Sequence, residues 1–234
     1  MTDFLINSEY SNILYTPLDF PLKENLPDNI MKIWEEKSAT VVRIFPCPKC
    51  KNPKADYCCF NRHSWRGLSL WGQFRDYSDK PNEFDQPILS EKEQEQFLPL
   101  VELLNTIGPF EEVNHIWLWQ SLRSIIPHME REFTNNVDGP LIFRAMIYDD
   151  NPQQTFYIKR WEGKREDQTN SIQPEDAAHL RTHYIDFPEI PHAFTWNNYR
   201  CFHGSDHDDS YKKILMAVSG RMSADPLGFQ KGYC

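Results

Sequence analysis

From residue 110 onward the chain is a succession of short apolar segments, rich in β-branched and aromatic residues, with no helix placed regularly between them. A parallel α/β sheet needs such a helix at every crossover, so this pattern points to antiparallel β structure instead. The segments 115–122 (HIWLWQSL), 141–148 (LIFRAMIY), 155–161 (TFYIKRW), 193–199 (AFTWNNY) and 212–219 (KKILMAVS) each read as a strand. Two more, 40–45 (TVVRIF) and 65–72 (WRGLSLWG), precede them. Gly139-Pro140, Asn151-Pro152 and the interval Pro188 to Pro191 mark turns, and the polar stretch 162–182 reads as a long loop. Helices are expected over 29–38 and 90–107. The second has Ser90 as N-cap, acidic residues in its first turn, Gly108 just past its end and Pro99 as a kink. The expectation is a mainly β core with flanking helices, a sandwich or barrel. The 234 residues fit one domain, helix-rich over 1–110 and strand-rich over 111–225.

Charge narrows the function classes. With 25 Lys and Arg against 34 Asp and Glu, the formal net charge of −9 argues against a nucleic-acid partner and leaves a small molecule or peptide as the expected substrate. No apolar run reaches the roughly 20 residues that span a bilayer, so no membrane partner is expected. The opening MTDFLINSEYSN has neither the basic nor the apolar region of a secretory signal, which implies the cytoplasm and reduced thiols. The cysteines then matter by spacing. Cys47-Pro48-Lys49-Cys50, followed by Cys58, Cys59 and His63, carries enough ligands for a structural zinc ion. A second C-x-x-C is missing, and adjacent Cys58 and Cys59 point oppositely on an extended chain. Free thiols are therefore preferred, with structural Zn left open.

The chemistry-bearing residues lie in the strand-rich part. In Ile125-Ile126-Pro127-His128-Met129-Glu130 an imidazole and a carboxylate stand two apart, so on an extended segment both lie on one face and can converge on a metal. Taken alone, His-x-Glu is more often a structural His beside a solvated Glu. A distal His203 completes a two-His, one-carboxylate set with three open positions, the arrangement of non-haem Fe(II) oxygenases. His203 could equally serve as a turn histidine. Ten residues further, Lys213 opens the last strong strand. A cation there suits the distal carboxylate of 2-oxoglutarate, whose 2-oxo acid end chelates iron. Strand alternation allows only one of Lys212 and Lys213 to face inward, and Lys213 is preferred. Trp65, Trp71, Trp117, Trp119 and Trp196 are expected in core packing, with one or two left to wall a substrate pocket.

The H-x-D/E pair, a distal His and a basic residue about ten positions later resemble the double-stranded β-helix 2-oxoglutarate oxygenases. IIPHMERE, LIFRAMIYDDNPQQTFYI and WNNYRCFHGSDHDDSYKKILMAVSG look like the aspartyl/asparaginyl β-hydroxylase and free-proline hydroxylase branch, over about the last 110 residues. The resemblance implies a jelly-roll, cupin-like core. It implies Fe(II) on His128, Glu130 and His203, with 2-oxoglutarate and O2 as cosubstrates. It further implies that Arg144, on the strand after the H-x-E segment, helps Lys213 bind 2-oxoglutarate. The outcome would be hydroxylation of a small metabolite, free amino acid or peptide side chain, with release of succinate and CO2. Glu130 stands where Asp is commoner, and Leu215 where many relatives have Ser. A carboxylate at 130 disfavours halogenation. Two other classes remain: a cupin-like metal isomerase or lyase, which has no need of Lys213, and a non-catalytic binding module stabilised by zinc.

Overall fold

The computed structural model describes residues 15–44, 62–72, 86–122, 125–128, 141–150, 156–160, 182–184, 189–197, 201–205 and 212–222. In chain order these form β1 (Tyr15–Leu18), α1 (Ile30–Lys37), β2 (Ala39–Ile44), β3 (Arg62–Gly72), α2 (Glu91–Gln94), a 3-10 turn (Glu95–Phe97), α3 (Leu98–Thr106), β4 (Phe110–Ser121), β5 (Ile125–His128), β6 (Leu141–Asp149), β7 (Phe156–Arg160), β8 (Thr182–Tyr184), β9 (His192–Asn197), β10 (Cys201–Ser205) and β11 (Lys213–Met222). The strands make two sheets, one of seven in the order β1-β9-β6-β11-β4-β3-β2 and one of four in the order β5-β10-β7-β8, with antiparallel pairing throughout both. The architecture is mainly β and consistent with a β-sandwich. Three strands from the first 110 residues, β1, β2 and β3, belong to the same large sheet as the later strands.

β11 is its central strand, and Ile214 through Gly220 are buried without a break. Strand alternation splits them between two layers. Ile214, Met216 and Val218 join a core with Ile116 and Leu118 of β4, Leu68 and Leu70 of β3, and Phe143, Ala145 and Ile147 of β6. The helices close this side. α1 contributes Ile30, Ile33 and Trp34, spaced so that they share one helix face, and α3 contributes Leu100, Val101 and Leu104. Each fully buried Leu or Ile here stabilises the fold by about 1.5–3 kcal/mol. Leu215, Ala217 and Ser219 point to the other face and are buried as well, so the sheet is covered on both sides.

The helix expected over 90–107 is divided. Ser90 and Glu93 form the capping box at its start, the Ser90 N–H donating to Glu93 Oε2 at 3.0 Å. Pro99 then sits in the first turn of α3. Proline lacks an N–H and is pre-set for a helix start, so the expected kink becomes a break and a new helix.

Two features shape the β3 end of the sheet. β2 pairs with β3 only as far as Gly67. Beyond it, the Ser69 N–H donates to the Pro87 carbonyl at 2.8 Å and the Leu89 N–H donates to the Ser69 carbonyl at 3.0 Å, so residues 87–89 take over the strand's edge. The β3–β4 register shifts between Ser69 and Trp71, and Gly72 turns away with φ +59°. A Cβ at Gly72 would lie 2.0 Å from the Asn114 carbonyl oxygen. Gly72→Ala is therefore expected to lower stability by roughly 2–4 kcal/mol, combining a left-handed φ with a backbone collision. Urea unfolding at pH 7 measures this, and an unchanged midpoint would contradict the geometry.

Candidate metal and anion site

β5 ends on His128, and β10 carries His203 at its centre. In the antiparallel ladder between them His203 is the direct partner of His128. Directly opposed residues share a face of the sheet, with Cα atoms about 4.5–5.5 Å apart. The ladder shifts register between His203 and Ser205, an irregularity of the kind that re-aims a strand near functional groups. The cross-strand row continues from His203 to Ile158 of β7 and then to His183 of β8. His183 was missed in the sequence because it follows a polar stretch read as loop, and only the β7–β8 register brings it into the row.

Several expected site residues lie outside the described residues: Glu130, Cys47, Cys50, Cys58, Cys59, and nearly all of the loop 162–182. His63 is placed only as a backbone position in β3, opposite Arg43. Among the described residues, no group of three His, Cys, Asp or Glu converges as a metal set. No helix among them is long and apolar enough to cross a membrane.

The large sheet's second face, away from the helices, carries the two expected cosubstrate cations. On β11, alternation puts position 213 on the face of Leu215 and Ala217. Lys212 is accounted for on the helix side. Its ammonium pairs with Glu35 of α1 and lies 5.4 Å over the Tyr148 ring. Arg66 joins this cluster, with a 3.2 Å ion pair to Glu35 and its guanidinium 5.3 Å from the Trp34 ring centroid. Lys212, and then Arg66, hold the Glu35 carboxyl below its ordinary range. The pairs are half-exposed and contribute little to stability, but they fix which lysine goes where.

Arg144 of β6 stands opposite Ala217 of β11, which stands opposite Trp117 of β4. The small alanine leaves Arg144 room to reach across it, and the guanidinium lies 5.6 Å over the Trp117 ring. One N–H of Arg144 also donates to the Phe143 carbonyl at 3.0 Å. Trp119 and Trp65, half-buried, extend this aromatic surface toward β3.

Next to Trp117 lies a buried polar network. The Gln86 amide donates to Ser69 Oγ at 2.8 Å, and Ser69 Oγ is 2.9 Å from His115 Nε2. The His115 ring stacks on Trp117, with centroids 4.6 Å apart and planes 13° from parallel. With Gln86 donating to Ser69, the serine hydroxyl has its own hydrogen to give to a neutral imidazole. Burial pushes the His115 pKa down to about 3, which keeps the ring neutral. Gly67 is part of this arrangement, because a Cβ there would lie 2.5 Å from the Gln86 side-chain oxygen Oε1. Burial also lowers the pKa of His192 on β9, whose strand partner is Met146 of β6.

No family model matches the chain, and no curated protein matches it. Among solved structures, it is similar to that of a bsmA homolog from Methylobium petroleophilum PM1, at 8% identity and a TM-score of 0.29. The match covers 58% of this chain and 55% of that one.

The neutral His115 has a consequence for stability. Below about pH 6.5 the unfolded imidazole takes up a proton while the folded one, with a pKa of about 3, does not. The unfolded state is then favoured, and stability falls by up to roughly 1.4 kcal/mol per pH unit from this group alone as pH drops toward 3. Urea unfolding between pH 7 and 4.5 should show a shallower loss for His115→Phe than for the unaltered protein. Equal slopes would mean that His115 is charged in the fold.

Proposed function

We propose that this chain is an Fe(II)- and 2-oxoglutarate-dependent oxygenase with a double-stranded β-helix core. It would hydroxylate a small metabolite, a free amino acid or a peptide side chain. The observation that carries the reading is the β5–β10 register, in which two histidines 75 residues apart in sequence become direct cross-strand partners. Two histidines at directly paired backbone positions are a fitting nitrogen donor pair for Fe(II), and Glu130, two residues beyond His128 in sequence, would supply the carboxylate. When bound, the metal with 2-oxoglutarate and O2 supplies oxidative decarboxylation to succinate and CO2, coupled to hydroxylation of a C–H bond.

The chain's own residues bind and orient. Lys213 offers a point charge and Arg144 a planar fork, and the two suit the carboxylates of a dianionic cosubstrate in different ways. His115, which burial keeps neutral, leaves the positive charge of this face to the two cations. The indoles of Trp65, Trp117 and Trp119 give the face an apolar lining that limits water around the anion. A cupin-like isomerase or lyase would have no use for the cations, and a zinc-stabilised module would have none for the histidine pair.

Anaerobic addition of Fe(II) and 2-oxoglutarate should give the weak charge-transfer absorption of the chelate, and with O2 the protein should form succinate. Absence of both would overturn the reading, and iron binding without 2-oxoglutarate turnover would favour the isomerase or lyase. His128→Ala and His203→Ala should each abolish iron binding, and normal affinity in both would show that the triad is wrong. Lys213→Ala should weaken 2-oxoglutarate about 10- to 100-fold, the range of one charged hydrogen bond. Lys212→Ala should leave that affinity unchanged.

A further inference from the structure

We infer that Gln86, Ser69 and His115 are positioning residues that hold the Trp117 indole in place and through it aim the Arg144 guanidinium at an anionic carboxylate. The inference rests on the anion-binding role proposed for Arg144.

The argument follows the contacts outward. Gln86 donates to Ser69 at 2.8 Å, and Ser69 fixes His115 Nε2 at 2.9 Å. All three are buried, where an unmade hydrogen bond costs the full desolvation of the group and the geometry is correspondingly well determined. Ser69 is itself pinned on both backbone groups by Pro87 and Leu89. The imidazole's plane is therefore set, and Trp117 lies within 13° of parallel to it. Arg144 in turn lies over the Trp117 ring at 5.6 Å, across Ala217.

The contact with Trp117 engages the charge of the guanidinium through the indole's π-face rather than through its hydrogen-bond donors, so the indole does not compete with a carboxylate for the N–H groups. The chemistry also explains the neutral imidazole. A charged ring stacked on the same indole that supports Arg144 would repel the guanidinium, whereas a neutral one only packs. A network of uncharged hydrogen-bonding groups around an aromatic platform thus helps hold the long Arg144 side chain in one rotamer, together with its hydrogen bond to the Phe143 carbonyl. Such preorganisation raises affinity by reducing the ordering cost at binding.

The test uses Ser69→Ala, which removes the hydroxyl that fixes His115 and leaves the packing volume nearly intact. In NMR spectra of the unaltered protein the Arg144 Hε resonance should be shifted by the Trp117 ring current, and in Ser69→Ala it should move toward its value in Trp117→Leu. This readout needs neither metal nor cosubstrate. In titrations of the Fe(II)-loaded protein with 2-oxoglutarate, Ser69→Ala should raise Kd about three- to tenfold, the range of one neutral hydrogen bond. Iron affinity should stay close to that of the unaltered protein, while the urea midpoint at pH 7 should fall, because Gln86 and His115 each lose a buried hydrogen-bond partner. In an Arg144→Ala background, Ser69→Ala should have no further effect on Kd. An unmoved Hε resonance, or additive effects in the two backgrounds, would overturn the positioning role. A moved resonance with Kd unaffected even by Arg144→Ala would instead remove the anion-binding role on which the inference rests.

Discussion

The structure depends on one strand being buried on both faces. From Ile214 to Gly220 β11 has no exposed residue, and a strand in that position must have a ladder on each edge and a layer on each side. β6 and β4 supply the ladders. The helices supply one layer through Trp34, Phe97, Leu100 and Leu104. On the second face, Phe194, Arg144, Ala217, Trp117 and Ser69 lie in one cross-strand row because β11 fixes the registers on both sides of it. A slip of one residue in the β6–β11 ladder would send Arg144 to the helix side and Phe143 to the other.

Much of this was legible in the sequence, and the reasons are local. The segments 141–148, 193–199 and 212–219 are short, apolar and β-branched, and the ends of each lie within three residues of an observed strand's ends. The capping box at Ser90 is written in four consecutive positions. The strands β1, β8 and β10 were not legible, because they are three to five residues long and hold their place through partners far away in the chain rather than through their own composition. The division of the second helix at Pro99 followed from proline chemistry, but whether it would bend or break depended on the packing of Phe97 and Leu100.

The candidate site was legible in part. His128, His203 and Lys213 could be chosen by type, order and spacing, whereas their relation to one another is a matter of register. In sequence Lys213 is preferred to Lys212 because alternation lets only one face inward, and the structure adds that Lys212 pairs with Glu35, 177 residues away, on the helix side. The Gln86–Ser69–His115 network left no trace in the sequence. Its members are ordinary polar residues in separate segments, and they become a unit only because β2 stops at Gly67 and leaves Ser69 to residues 87–89.

The pairing of His128 with His203 also bears on how the chain folds. Contacts such as Ser69 with Pro87 close short loops, while the β5–β10 ladder must bring together ends 75 residues apart, a closure that costs more entropy and is rewarded only when made. The two histidines therefore become neighbours only once that long-range ladder has formed. Any ligand that bridges them binds the closed state alone and draws the population toward it by mass action. A metal at this position would act as a clasp on the small sheet, so the same two residues would couple a long-range ladder to the availability of the ion.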